Sequence, residues 1–84
     1  MEIEKKVKNL IEDVIVANNY QLDEVKFEKE DNNYFLRIVI NKDGIIDLDD
    51  CVFVTDLINP ILDKNDPIEH SYILDVCSKE RGRE

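Results

Sequence analysis

The chain has 84 residues, of which 43% are hydrophobic and 37% charged, and this is the length and composition of one folded domain. No apolar run approaches the ~20 residues that a membrane span needs, and the first residues lack the apolar stretch of a signal peptide. These features predict a cytoplasmic protein without a membrane partner.

The net charge is −9, and most of it is concentrated in one segment. Residues 47–69 hold 7 acids and 1 base, so they contribute −6 of the total. Such a surface repels phosphate backbones and attracts basic proteins. A merely solvated surface has the same composition, so charge alone leaves both interpretations open.

Few residues could carry chemistry. His70 is the only histidine and lies in a polar loop, where we expect it to be exposed. Cys51 and Cys77 lie 26 positions apart without a CxxC motif, which favours two reduced thiols. Hydrolysis or group transfer needs a nucleophile, a base and an orienting group, and no such set is apparent. We therefore interpret the chain as non-catalytic and without a cofactor.

The first half of the chain predicts a helix followed by an antiparallel hairpin. The helix is expected to end at Asn18-Asn19, because asparagine tolerates the left-handed backbone conformation. Residues 22–29 and 34–40 then alternate between apolar and polar side chains on either side of Asp31-Asn32-Asn33, which is a turn by composition. The apolar face of the helix is formed by Ile3, Val7, Leu10, Ile11, Val14 and Ile15.

A second helix is predicted to begin after Asp47. Asp47 is the expected N-cap with Asp50 as its N3 partner, and Ile46 can pack on Cys51 as a hydrophobic staple. Pro60 removes one backbone donor, so we expect a kink near the end of the helix and not a break. The residues assigned to its inner face are Leu48, Cys51, Val54, Thr55, Ile58, Ile61 and Leu62.

Alternation at Tyr72, Leu74 and Val76 predicts a third strand, paired either parallel to the second strand or antiparallel to the first. The predicted fold class is α+β, a two-layer αββαβ domain with two helices on one face of a three-stranded sheet, similar to type II KH topology. The residues predicted to share its core are Leu10, Val14, Phe27, Leu36, Ile38, Val54, Ile58 and Leu74.

The sequence matches two known binding motifs only in part. Residues 39–50 resemble a calcium loop around Gly44, but Val39 stands at the first ligand position and Asp50 replaces the bidentate glutamate. A turn followed by a helix cap explains the same residues, so we expect no metal site. A KH module needs a GxxG loop, and the only glycines are Gly44 and Gly82. Together with the charge, this disfavours direct RNA readout.

The outer face of the second helix is the candidate partner-binding site. Asp49, Asp56 and Asp63 fall on one stripe, with Phe53 and Leu57 beside it. We expect this strip to dock on a basic, partly apolar protein or on an adjoining domain, and a weak homodimer through it stays open. A solvated face with two stray apolar residues is the alternative.

Several short segments occur in an order and spacing that resemble the N-terminal domain of the ribosome maturation factor RimP family. The resemblance covers nearly the whole chain. After the third strand the family continues with Ser-Pro-Gly and a later arginine. Here Ser78 matches, Lys79 and Glu80 replace the Pro and Gly, and Arg83 is the candidate for the arginine. The segments that carry the resemblance are the first-helix pattern, Tyr20-Gln21-Leu22, Leu36-Arg37-Ile38-Val39-Ile40, Gly44, Leu48-Asp49-Asp50-Cys51, Asp66-Pro67-Ile68, and Tyr72, Leu74 and Val76.

The resemblance implies a non-catalytic cytoplasmic assembly factor that binds the small ribosomal subunit and helps its maturation. The expected contact is a basic ribosomal protein. We divide the chain into an N-terminal α/β domain at residues 1–77 and a frayed tail at 78–84, and the small barrel domain that follows in the family is expected to be absent. The rival interpretation is a free-standing acidic protein-interaction domain that no longer serves the ribosome.

Overall fold

The computed structural model describes residues 2–78, which form two helices and three strands in the predicted αββαβ order. The α+β fold class is therefore confirmed, whereas the likeness to type II KH topology stays a prediction. The elements are α1 (Glu2–Ala17), β1 (Gln21–Glu30), β2 (Asn33–Asn41), α2 (Leu48–Asn65) and β3 (Tyr72–Ser78).

The ends of α1 and of the hairpin follow the predicted turn chemistry. Asn19 has φ 71°, and the Asn18 side-chain amide donates to the carbonyl of Val14 at 2.7 Å, which satisfies one free carbonyl at the helix end. Asp31 takes φ 55° in the hairpin turn. Asn33, expected in that turn, is instead the first residue of β2.

Helix α2 begins with the predicted capping box. The Asp50 N–H donates to the Asp47 carboxylate at 3.2 Å, and the Asp47 N–H donates to the Asp50 carboxylate at 2.9 Å. The helix continues through Pro60 to Asn65 and ends at Asp66, which has φ 46°. The expectation that Pro60 does not break the helix is confirmed, and the kink stays a prediction.

The sheet has the order β1-β2-β3, and this settles the pairing that the sequence left open. β1 and β2 are antiparallel with a bulge between Leu22 and Glu24, whereas β3 is parallel to β2. Helix α2 forms the connection between the two parallel strands, as parallel pairing requires.

The core lies between the sheet and the two helices. Of the eight predicted core residues, Phe27, Leu36, Ile38, Val54 and Ile58 are buried, and the other three are only partly buried. The central row of α1 is Val7, Ile11 and Ile15, and the sequence could not distinguish this row from its flanks. The three predicted core residues that lie at the margin of the core are Leu10, Val14 and Leu74.

Three departures from the predicted burial have a local cause. Leu10 lines a cavity between α1 and the end of α2, at the side of the helix and not beneath it. Leu74 belongs to an edge strand, which is covered on fewer sides than β2. Leu48, predicted on the inner face of α2, is 61% exposed, because as the first helical residue it precedes the turn that passes over the core. Ile46 is buried in its place.

The predicted tail begins at Ser78, but this residue is the last of β3 and is buried. The remaining tail residues, 79–84, lie outside the described residues.

Candidate functional site

The three carboxylates of the predicted strip are exposed along one side of α2. Asp49, Asp56 and Asp63 are seven residues apart, so successive members are separated by about 10 Å along the helix axis. We call these three residues the acidic strip.

The two apolar residues predicted beside the strip differ in exposure. Phe53 is 45% exposed, and its ring centroid lies 6.1 Å from that of Tyr20. Leu57 is partly buried and packs against the core. Phe53 therefore offers a surface to a partner, whereas much of Leu57 is already used inside the domain.

Exposed apolar residues also lie on the opposite side of the strip, and one of them, Leu48, was predicted on the inner face of α2. Among the described residues six large apolar side chains are exposed, and four of them, Ile45, Leu48, Val52 and Phe53, lie within a stretch of nine residues. At 100° per residue, Leu48 and Val52 flank Asp49 and Asp56 on the side opposite Phe53. The available signal was the i,i+4 spacing of Leu48 and Val52. The acidic strip thus has an apolar flank on each side of its first half.

A hydrogen-bonded cluster fixes the beginning of α2 against the rest of the domain. The Tyr20 hydroxyl donates to Asp50 Oδ1 at 2.6 Å, and the Lys42 ammonium donates to the same oxygen at 2.9 Å. Tyr20 precedes β1 and Lys42 follows β2, so the cluster joins three parts of the chain. The Asp50 carboxylate thus bonds to groups of its own domain, although Asp50 belongs to the most acidic segment of the chain.

The contacts in the cluster lower the pKa of Asp50 and raise the pKa of Tyr20. The Tyr20 hydroxyl, helped by the Asp47 N–H and by Lys42, holds the pKa of Asp50 well below its ordinary value of 3.8. Burial, together with the hydrogen bond to the Asp50 carboxylate, raises the pKa of Tyr20 to about 12. At neutral pH Asp50 is therefore a carboxylate and Tyr20 a neutral phenol.

Asp63, at the far end of the acidic strip, also lies beside the start of β3. With Asn59 of α2 and residues His70, Ser71, Tyr72 and Leu74, it lines a shallow groove of about 440 Å³. Burial raises the pKa of Tyr72, and the carboxylates of Asp63 and Asp66 add to this shift. Of the predicted site residues, Asp63 is therefore the one that lies next to β3.

The remaining chemical candidates were His70 and the grouping of metal-ligating side chains. His70 is exposed, as predicted, and its ring stacks on Tyr34 with centroids 4.4 Å apart. Within residues 2–78, no group of three or more His, Cys, Asp or Glu side chains is arranged to hold a metal ion. Over the same residues, no helix has both the length and the apolar character to cross a bilayer.

The fold is that of a small two-layer α+β domain, with two helices packed on a three-stranded sheet. A family model described as the RimP N-terminal domain matches residues 10–79. The chain belongs to this family of ribosome maturation factors, and its match covers all five elements except the first turns of α1.

Proposed function

We propose that this domain is a non-catalytic module of an assembly factor for the small ribosomal subunit, and that it docks on a basic ribosomal protein through α2. The contact residues are Asp49, Phe53, Asp56 and Leu57, with Asp63 at the far end of the acidic strip. The proposal implies a cytoplasmic location, and it needs no cofactor.

The observation that supports this surface most directly is the pairing of exposed carboxylates with exposed apolar side chains. Exposed carboxylates speed the encounter with a basic partner, and desolvated apolar contacts supply most of the affinity. Phe53 suits the second role because its ring is held against Tyr20 while nearly half of its surface stays open. The clustering of exposed apolar residues within positions 45–53 extends that contact area.

Protein is favoured over RNA as the direct contact. The chain has a net charge of −9, and the described carboxylates of α2 would face the phosphates of any RNA on this side. Ribosomal proteins are the basic, structured component that such a surface can approach without that repulsion.

Binding of the chain to purified small subunits tests the proposal. Phe53→Ser should weaken binding about 30-fold, since truncating an anchor residue costs about 2 kcal/mol. Val16→Ser is the matched control, because Val16 is an exposed apolar residue on α1. Leu57→Ser is less decisive, because Leu57 packs on the core and its loss would also destabilise the fold.

The charge contribution is tested separately. Asp49→Lys with Asp56→Lys should slow association and flatten its dependence on salt, whereas Asp13→Lys with Asp23→Lys changes the net charge equally on other exposed surfaces. Equal effects of the two pairs would show that α2 is not the docking surface. If the unmodified chain fails to bind subunits, the ribosomal role itself is wrong, and a free-standing interaction domain becomes the better interpretation.

A further inference from the structure

The two edges of the sheet are protected to different degrees. On β1, the Phe27 N–H donates to the Glu4 carboxylate of α1 at 2.8 Å, so a side chain occupies a backbone donor on the outer edge. A bulge between Leu22 and Glu24 interrupts the same strand. Both features block the addition of another strand.

On the opposite edge, β3, no bulge interrupts the strand, and no side-chain hydrogen bond is seen to a backbone donor of residues 72–77. All seven residues keep a regular parallel register with β2, and β3 contains no proline, glycine or lysine. Its single charged residue, Asp75, is paired with Arg37 at 3.4 Å. An edge strand that is regular and weakly charged is a template for further pairing.

The two sides of β3 have different chemistry. On the helix side, Asn59 and Asp63 line the groove at the start of the strand together with His70, Ser71, Tyr72 and Leu74, so this side offers one carboxylate among mostly polar neighbours. On the open face of the sheet, Ile73 is 49% exposed, and Cys77 is partly exposed two positions beyond Asp75. The Arg37 charge between them is offset by Glu28, Glu30 and Asp75.

From this edge and its two sides, we propose that β3 binds an extended basic segment of a partner protein as a fourth strand. Successive side chains of a strand point to opposite faces, so one set would meet Asp63 and Asn59 while the other packs beside Ile73 and Cys77. The complementary segment therefore alternates lysine or arginine with apolar residues. This inference does not depend on the proposed ribosomal role.

Charge decides between this occupant and a second copy of the chain. A two-fold β3–β3 pairing would bring together two chains that each carry a net charge of −9, with Asp63 and Asp75 of both copies near the shared edge. Like charges opposed across strands are destabilising. A basic segment replaces that repulsion with attraction.

The test uses a terminally blocked peptide of about nine residues in which lysine and valine alternate, enough to span β3. Binding is measured by fluorescence anisotropy, and the site by NMR shifts of backbone amides in residues 72–78. Two further peptides carry N-methyl groups on alternate residues, in opposite phase. An added strand donates to β3 from one edge only, so one methylated peptide should bind at least about tenfold more weakly and the other should bind unchanged.

On the protein side, Asp63→Asn should weaken binding of the unmethylated peptide several-fold, and Asp13→Asn, an equal change of charge on α1, should not. Equal behaviour of the two methylated peptides would overturn strand addition and leave a purely electrostatic contact. Absence of binding, or self-association of the chain through residues 72–78, would overturn the proposed occupant. Loss of subunit binding with intact peptide binding would reject only the proposed function.

Discussion

Replacing Tyr20 with phenylalanine tests the cluster that fixes α2. The ring stays, so its contact with Phe53 and its place in the core are preserved, and only the hydroxyl that donates to Asp50 at 2.6 Å is lost. A hydrogen bond to a charged acceptor contributes about 1.5–3 kcal/mol, and Asp50 keeps Lys42 and the Asp47 N–H as donors. We therefore expect the free energy of unfolding to fall by about 1–2 kcal/mol, near the lower end of that range. In a domain of this size, each kcal/mol lost lowers Tm by roughly 4–8 °C.

The pH dependence of this loss is a sharper criterion than its size. The folded pKa of Asp50 is depressed, so its stabilising contribution is present above its ordinary value of 3.8 and is lost as the pH falls below it. The folded pKa of Tyr20 is raised to about 12, so its contribution is present below 10.0 and is lost as the pH rises from 10.0 towards 12. The stability gap between the unmodified chain and Tyr20→Phe should thus be widest between about pH 5 and 9 and narrow at both ends.

Urea unfolding followed by circular dichroism at several pH values measures this gap. Tyr34→Phe is the control, since no hydrogen bond is recorded for the Tyr34 hydroxyl among the described residues, although its ring stacks with Phe27 and His70. A gap that stays constant from acid to alkaline pH, or an equal loss for Tyr34→Phe, would refute the role assigned to the cluster.

Two further predictions concern the core and the turn before α2. Ile58→Ala should destabilise the domain by about 2–5 kcal/mol and Leu10→Ala by clearly less, because Ile58 is fully buried and Leu10 lies at the margin of the core. Equal losses of the two variants in urea unfolding would contradict this assignment of the core. Calcium should show no sub-millimolar saturation by calorimetry, because Asp47 and Asp50 are engaged in the capping box; saturation with NMR shifts at residues 41–50 would prove this wrong.

The elements whose ends depend on local chemistry were predictable from the sequence. The stop at Asn18-Asn19 and the cap at Asp47 and Asp50 follow from side chains that bond to neighbouring backbone, and the structure reproduces both. The pairing of β3 was not predictable, because alternation of side chains has the same period in parallel and antiparallel sheets.

Residues whose role depends on distant partners carried no local signal. Tyr20 and Asp50 are 30 positions apart, and no sequence pattern near either residue predicts their hydrogen bond. Leu10 and Val14 lie on the same apolar stripe as Val7 and Ile11, and only the position of α2 makes them marginal. For the candidate site, spacing along one helix predicted the acidic strip, but it could not show that Leu57 packs inward or that Asp63 faces β3.

The two proposed surfaces lie on neighbouring parts of α2 and differ in what they recognise. The first half of the helix presents Phe53 between carboxylates and suits a folded, basic surface, whereas Asp63 and β3 suit an extended segment. Asp56, between them, is about 10 Å from Asp49 and from Asp63, a distance that a few residues of extended chain can span.

A basic protein with a folded part and an extended tail could thus occupy both surfaces. Two weak contacts joined by a short linker bind more tightly than either alone, because the second forms at a high effective concentration. Two separate contacts would thus let this small domain recognise its partner specifically, although the domain cannot offer one large interface.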